Sequence, residues 1–151
     1  MIEIGLKHTS ELTVTDDVTA ITIGSGDMPV LATPMMMALM ERSSYARLLP
    51  KRRKNAAMLA VVDELPEGSL QAKRTSSSGT TVGGHIESSH LKPSKIGDVV
   101  RAVAEVTKVD GKKIEFKVSA YSGDVLLGEG THLRFIVDRG KFLRPVGSKQ
   151  P

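Results

Sequence analysis

Residues 30–49, VLATPMMMALMERSSYARLL, narrow the folds open to this chain more than any other stretch. Six apolar residues run without interruption from Met35 to Met40. Thr33 is a good N-cap and Pro34 suits a first helical turn, where its missing N–H costs nothing. Pro50 stops the element at about Leu49. The pattern predicts a helix of about four turns, apolar nearly all round, and such a helix must be covered on most of its sides. The cover has to come from the rest of the chain.

Most of the remainder reads as β-structure. TSELTVTDDVTAITIG (9–24) reads as extended, with Thr and Val alternating and Ile21 and Ile23 one residue apart. SGDMP (25–29) is a break. AAMLAVVDEL (56–65) fits a short helix by its alanines or a strand by Val61–Val62, and the pattern leaves both open. LPEGS reads as a turn and QAKRTSSSG as a polar loop. From Thr80 onward, TTVGGHIESSHL alternates, with Val82, Ile86 and His90 assigned to one face. VVRAVAEVTKV (99–109) and KKIEFKVSAY (112–121) flank the hairpin signal Asp110–Gly111, and VLLGEGTHLRFIV (125–137) follows the turn at Ser122–Gly123–Asp124. Strands joined by short turns form an antiparallel sheet. The expected fold is therefore α+β, one long central helix wrapped by a curved antiparallel sheet. The chain reads as a single domain over 1–151, with its core at about 9–137, a variable insertion at 51–79 and a frayed tail at 138–151.

Composition removes several function classes. The chain contains no cysteine, so it has no disulfide framework, no thiol nucleophile and no Cys-ligated zinc. P-loop, G-x-G-x-x-G and G-x-S-x-G patterns are absent. Aromatic residues are only 3% of the chain, too few for stacking platforms for single-stranded nucleic acid. The N-terminus, MIEIGLKHTSEL, carries acids early and lacks the basic-then-apolar order of a signal peptide. No apolar run approaches the ~18 residues of a membrane span. The net charge is +4, part of it in Lys51-Arg52-Arg53-Lys54, a run that fits either a phosphate-binding surface or a solvated loop.

Four positions carry chemistry. Glu41 ends the apolar run, and its helical neighbours Met37, Ala38, Ser44 and Tyr45 include no cation. It is either the helix's solvated edge or a partly buried carboxylate suited to act as base or nucleophile. His90 is assigned to the apolar side of its strand, as a structural histidine or as a general acid/base near neutral pH. His85, five residues earlier, faces the opposite way, so the two cannot share a metal. Arg134 lies on one face with Gly128, Gly130, His132 and Ile136, either as an exposed strand residue or as a binder of phosphate or carboxylate. Gly83 and Gly84 expose backbone N–H groups if a bulge interrupts the strand there.

The segments VLATPMMMALME, TTVGGHIESSHL, the Asp-Gly hairpin and GEGTHLRF, in that order, resemble the hotdog-fold thioesterases of the fluoroacetyl-CoA thioesterase type, from about Val30 to Val137. The resemblance implies the hotdog layout, a dimer with active sites at the subunit interface, and a set of site residues. It assigns catalytic roles to Thr33, Glu41 and His90, and substrate binding to Gly83 and Arg134. Thr33 and Glu41 are eight residues apart, about 12 Å along a helix, so one straight helix keeps them separate and a second subunit would have to complete the site. Fluoroacetyl-specific members carry phenylalanines just before the threonine, whereas GSGDMPVLA has none. The resemblance therefore does not extend to that selectivity.

The implied function is hydrolysis of an acyl-CoA or related acyl thioester, with Glu41 as nucleophile or general base, His90 as acid/base, and Arg134 meeting CoA phosphates. No cofactor and no metal are implied; coenzyme A enters as part of the substrate. The implied partners are that substrate and a second copy of the chain, as a homodimer or a dimer of dimers, in the cytoplasm, with no membrane and no nucleic acid. The alternatives are a non-catalytic acyl-CoA or small-ligand-binding hotdog protein, a hotdog dehydratase or hydratase, and a nucleic-acid binder using residues 51–54.

Overall fold

A computed structural model describes residues 2–48, 61–62 and 79–147. The elements run in the order β1 (Lys7–Thr13), a 3-10 turn (Asp16–Val18), α1 (Ala20–Ile23), α2 (Thr33–Leu48), β2 (Val61–Val62), β3 (Gly79–His90), β4 (Val99–Asp110), β5 (Lys113–Ser122), β6 (Val125–Asp138) and α3 (Arg139–Gly147). All strands lie in one sheet, order β2-β1-β4-β5-β6-β3, and every pairing is antiparallel. The turns at Gly111 (φ +59°) and Gly123 (φ +57°) close the β4–β5 and β5–β6 hairpins in a conformation that only glycine adopts freely.

The sheet covers α2 along one side. Met36, Leu39, Met40, Ser43 and Ser44 are buried, the i, i+3, i+4, i+7, i+8 stripe of a helix. They pack on the inward residues of β4 (Val100, Ala102, Ala104, Val106) and β5 (Ile114, Phe116, Val118, Ala120). Burying each large side chain contributes about 1.5–3 kcal/mol. The alanines let the helix come close, and Ser43 Oγ reaches the Ala102 carbonyl oxygen at 3.1 Å. Pro34 and Ala38, on the other side, stay exposed. Among the described residues, the expectation of a helix covered on most sides is thus met on one side only.

Three local expectations change. Residues 16–18 and 20–23 are helical rather than extended: Thr19, itself extended, caps α1, accepting from Thr22 N–H at 3.4 Å, and Gly24 ends it at φ +89°. Here a side-chain cap outweighs Thr/Val alternation. The tail continues as α3, started by Lys141 N–H donating to Asp138 Oδ1 at 3.0 Å, rather than fraying at 138. Val82 does not share a face with Ile86 and His90. The register of β3 on β6 steps from Gly83↔Arg134 to His85↔Leu133, which leaves Gly84 as an extra residue. Thr81 and Gly83 therefore face inward before the bulge, and Ile86 and His90 after it. The ambiguous Val61–Val62 pair is a strand, bonded to Ser10 and Thr9 of β1. The rest of the expected 51–79 insertion, with its basic run, lies outside the described residues apart from Gly79.

Candidate active site

α2 carries two groups of polar residues, one at each end of its first half. At its start, Ala32 rather than Thr33 takes the cap position, its carbonyl accepting from Met35 and Met36 N–H at 3.0 and 3.1 Å. The Thr33 hydroxyl is left for His90, with Oγ1 and Nδ1 2.7 Å apart and one proton shared between them. His90 ends β3, opposite Gly128 of β6. Burial lowers its pKa, and a backbone hydrogen bond at Lys92 acts the other way. Its Nε2 is buried with no hydrogen-bond partner among the described residues, so one ring nitrogen remains unspent.

Two turns further along α2, Glu41 reaches the middle of β6. Its Oε2 lies 3.5 Å from Arg134 Nη1 and 3.6 Å from His132 Nε2. The Glu41 side chain is 45% exposed, whereas Arg134 is 6% and His132 0% exposed, so the carboxylate looks outward from a buried basic floor. Arg134 is held rigidly: Nε donates to Thr81 Oγ1 and Nη2 to the Thr81 carbonyl, both at 2.9 Å. Its guanidinium also lies 5.4 Å from the centre of the Tyr45 ring. Burial lowers the Arg134 pKa, opposed by the Glu41 carboxylate and by Tyr45, and a guanidinium remains charged in any case. His132 is different. Burial first, and the neighbouring Arg134 charge second, bring its pKa down to about 4, so it is neutral at physiological pH. The cation missing from Glu41's neighbours three and four residues away on the helix is supplied by the sheet.

Gly83 completes this group. A Cβ built there would stand 2.5 Å from Glu41 Oε2, 3.3 Å from His132 Nε2 and 3.5 Å from Arg134 Nη1. The bulge at Gly84 turns Gly83 inward, and the missing side chain leaves room for the carboxylate.

The five residues expected from the sequence thus fall into two sets: Thr33 with His90, and Glu41 with Gly83 and Arg134. Arg134 is buried, its guanidinium bound to Thr81 and turned to Glu41. His132, Thr81 and Tyr45 were not among the expected site residues. The signal for His132 was present in its strand parity with Arg134, and that for Tyr45 in its i+4 spacing from Glu41. Among the described residues no group of three His, Asp or Glu side chains is placed to hold a metal.

The FlK family model, described as fluoroacetyl-CoA-specific thioesterase, matches residues 51–140. The fluoroacetyl-CoA thioesterase of Streptantibioticus cattleyicolor is 30% identical over 122 residues, 81% of this chain and 71% of that protein. The chain belongs to the fluoroacetyl-CoA-specific thioesterase family. Solved structures agree in fold. A fluoroacetyl-CoA thioesterase FlK superposes with a TM-score of 0.78 at 22% identity, covering 100% of this chain and 99% of that one. A thioesterase superfamily member from Thermus thermophilus gives 0.74 at 23%, covering 99% and 96%. A hot-dog-like protein from Thermanaerovibrio acidaminovorans gives 0.72 at 17%, covering 98% and 93%. The sheet curled around α2 is therefore the hotdog fold, and the acyl-CoA thioester hydrolase class expected from the sequence is that of its family.

Proposed function

We propose that the protein hydrolyses an acyl-CoA thioester at a site shared by two copies of the chain, Glu41 coming from one and the Thr33–His90 pair from the other. The observation that carries this reading is the separation of the two sets. Each is polar, partly built and open on the same side of α2, yet about 12 Å of helix divides them within one chain. β3 lies at the edge of the sheet among the described residues, with Gly83 and His90 seven residues apart along it. Antiparallel pairing of β3 with its copy, in the register that puts the twofold axis between Ile86 and Glu87, would set Gly83 of one chain beside His90 of the other. The same pairing would cover the open side of α2.

In that site Glu41 takes the proton of an attacking water, or itself attacks the carbonyl carbon to give an anhydride that water then opens. Either way a C–O bond forms, the C–S bond breaks, and the CoA thiolate leaves. His90 acts as the acid/base through Nε2, with Thr33 fixing the ring through Nδ1. Strand N–H groups at the Gly83–Gly84 bulge are suited to hold the developing oxyanion. The reaction needs no cofactor, since coenzyme A arrives as part of the substrate. A cytoplasmic location belongs to the same proposal; no helix among the described residues is long and apolar enough to cross a membrane.

Free-thiol release from a panel of acyl-CoAs tests the proposal. Glu41→Gln and His90→Asn are each expected to lower turnover at least ~100-fold with the fold intact. A non-catalytic acyl-CoA-binding module is the second reading, favoured by the failure of Glu41 and His90 to meet within one chain. Binding of acyl-CoA without thiol release would select it.

A further inference from the structure

The thioesterase reading uses Glu41, His90 and Thr33 and leaves His132 without a task, although it is a fully buried titratable side chain at the base of the site. Neither ring nitrogen of His132 has a hydrogen-bond partner among the described residues. A buried N–H left unsatisfied is costly, so a histidine on this inner sheet face, between Gly130 and Arg134 and opposite Phe116, needs a reason to be there. The acceptor beside it is the Glu41 carboxylate, and it meets the same oxygen, Oε2, that Arg134 meets. Among the described residues, the charged or titratable groups shown around that carboxylate are Arg134 and His132 from β6, with Tyr45 of α2 against Arg134; β3 contributes Thr81 and Gly83, which carry no charge.

We propose that His132 is a positioning residue that donates Nε2–H to Glu41 Oε2 and, together with Arg134, turns Oε1 toward the substrate. This rests on the reading of the protein as a thioester hydrolase in which Glu41 meets the reacting carbonyl or its water. At 3.6 Å the two atoms stand a few tenths of an ångström outside hydrogen-bond range, and a small rotation of a half-exposed carboxylate closes that gap. A second cation would pin Glu41 and quench its basicity, and the burial that keeps His132 neutral avoids this. The imidazole thus supplies direction, and Arg134 supplies charge.

The test places a donor N–H at two different depths. In His132→Gln the amide nitrogen falls where Nε2 was; in His132→Asn it falls where Nδ1 was, short of Glu41. Steady-state thiol release is measured with the best acyl-CoA of the panel, alongside Glu41→Gln and with thermal melting as a check on folding. His132→Asn is expected to lower kcat by ~10- to 100-fold, the scale of a misplaced reacting group, with KM changed less than ~3-fold. His132→Gln is expected to recover most of that loss. If Asn and Gln variants both match wild type, or both fall equally, the positioning role is overturned while the loss in Glu41→Gln leaves the hydrolase reading standing. If Glu41→Gln itself retains turnover, the hydrolase reading fails and this inference with it. Should the Asn variant not fold, His132→Met, which fills the space without an N–H, takes its place in the same comparison.

Discussion

At Gly83 the absence of a side chain is itself part of the site. The atom a Cβ would strike first is the far end of Glu41, 2.5 Å away, and not backbone. Gly83→Ala should therefore displace a half-exposed carboxylate rather than unfold the strand. The expected outcome is a loss of turnover of at least ~10-fold, with the melting temperature lowered by only a few degrees, read from thiol release and thermal melting on one preparation. His132 makes the opposite prediction, about stability. Its folded pKa, about 4, lies below its ordinary value of 6.5. Between those values the unfolded chain holds more protons than the folded one, so stability falls as pH drops from about 6.5 to 4, by up to about 3 kcal/mol. Denaturant melts across this range should show that loss, and His132→Gln should flatten it. An unchanged slope in the variant would assign the acid sensitivity to other groups.

At the scale of elements, the site depends on how closely α2, β3 and β6 approach one another. Gly128 and Gly130 of β6 are where that approach is tightest. A Cβ at Gly128 would collide with the Ser89 carbonyl oxygen and stand 2.7 Å from Met36 Cε, while one at Gly130 would collide with the Glu87 backbone. Met36 can move; the β3 backbone cannot move without taking His90 along. Gly128→Ala is expected to cost about 1–3 kcal/mol and to lower turnover through the Thr33–His90 pair, measured by denaturant unfolding and thiol release. Leu39→Ala, deep in the α2 stripe and remote from both polar sets, should cost about 2–5 kcal/mol while leaving turnover per folded molecule near wild type. The bulge at Gly84 is the other element-scale device, since it turns Gly83 inward while keeping Ile86 and His90 on the inner face.

For the whole molecule the proposal makes a quantitative statement about two inactive variants. If each site takes Glu41 from one chain and His90 from its partner, a Glu41→Gln/His90→Asn heterodimer carries one doubly altered site and one intact site. With random exchange, half of the dimers are mixed and half of their sites are whole, so mixing equal amounts after unfolding and refolding should restore about a quarter of wild-type activity. Absence of recovery, with subunit exchange verified, would place both residues in a single-chain site or in none. The separation of the two sets argues for the first outcome.

Read residue by residue, the sequence already held the helix, though not its cap, the hairpins at Gly111 and Gly123, and the inward triplet Ile114, Phe116 and Val118. These depend on local chemistry: proline and glycine dihedrals, and the period of apolar side chains. It also marked Glu41 and His90 as polar residues in apolar surroundings and Arg134 on a glycine-bearing strand face, and the family pattern added Thr33 and a role for Gly83. It misread the face of Val82, because one extra residue in a strand leaves no mark on alternation until its partner strand is known. It passed over His132 beside Arg134, because a histidine on an inner face acquires a role only from what crosses above it. That crossing is a tertiary fact. The sheet brings β6 within side-chain reach of the third turn of α2, which sets Arg134 against Glu41 and buries His132 into neutrality, while Thr33 and His90 meet two turns away. Composition and spacing determined which residues were available; the packing of one helix on one sheet decided which of them meet, because burial and distance, not sequence neighbours, set the charge that each one carries.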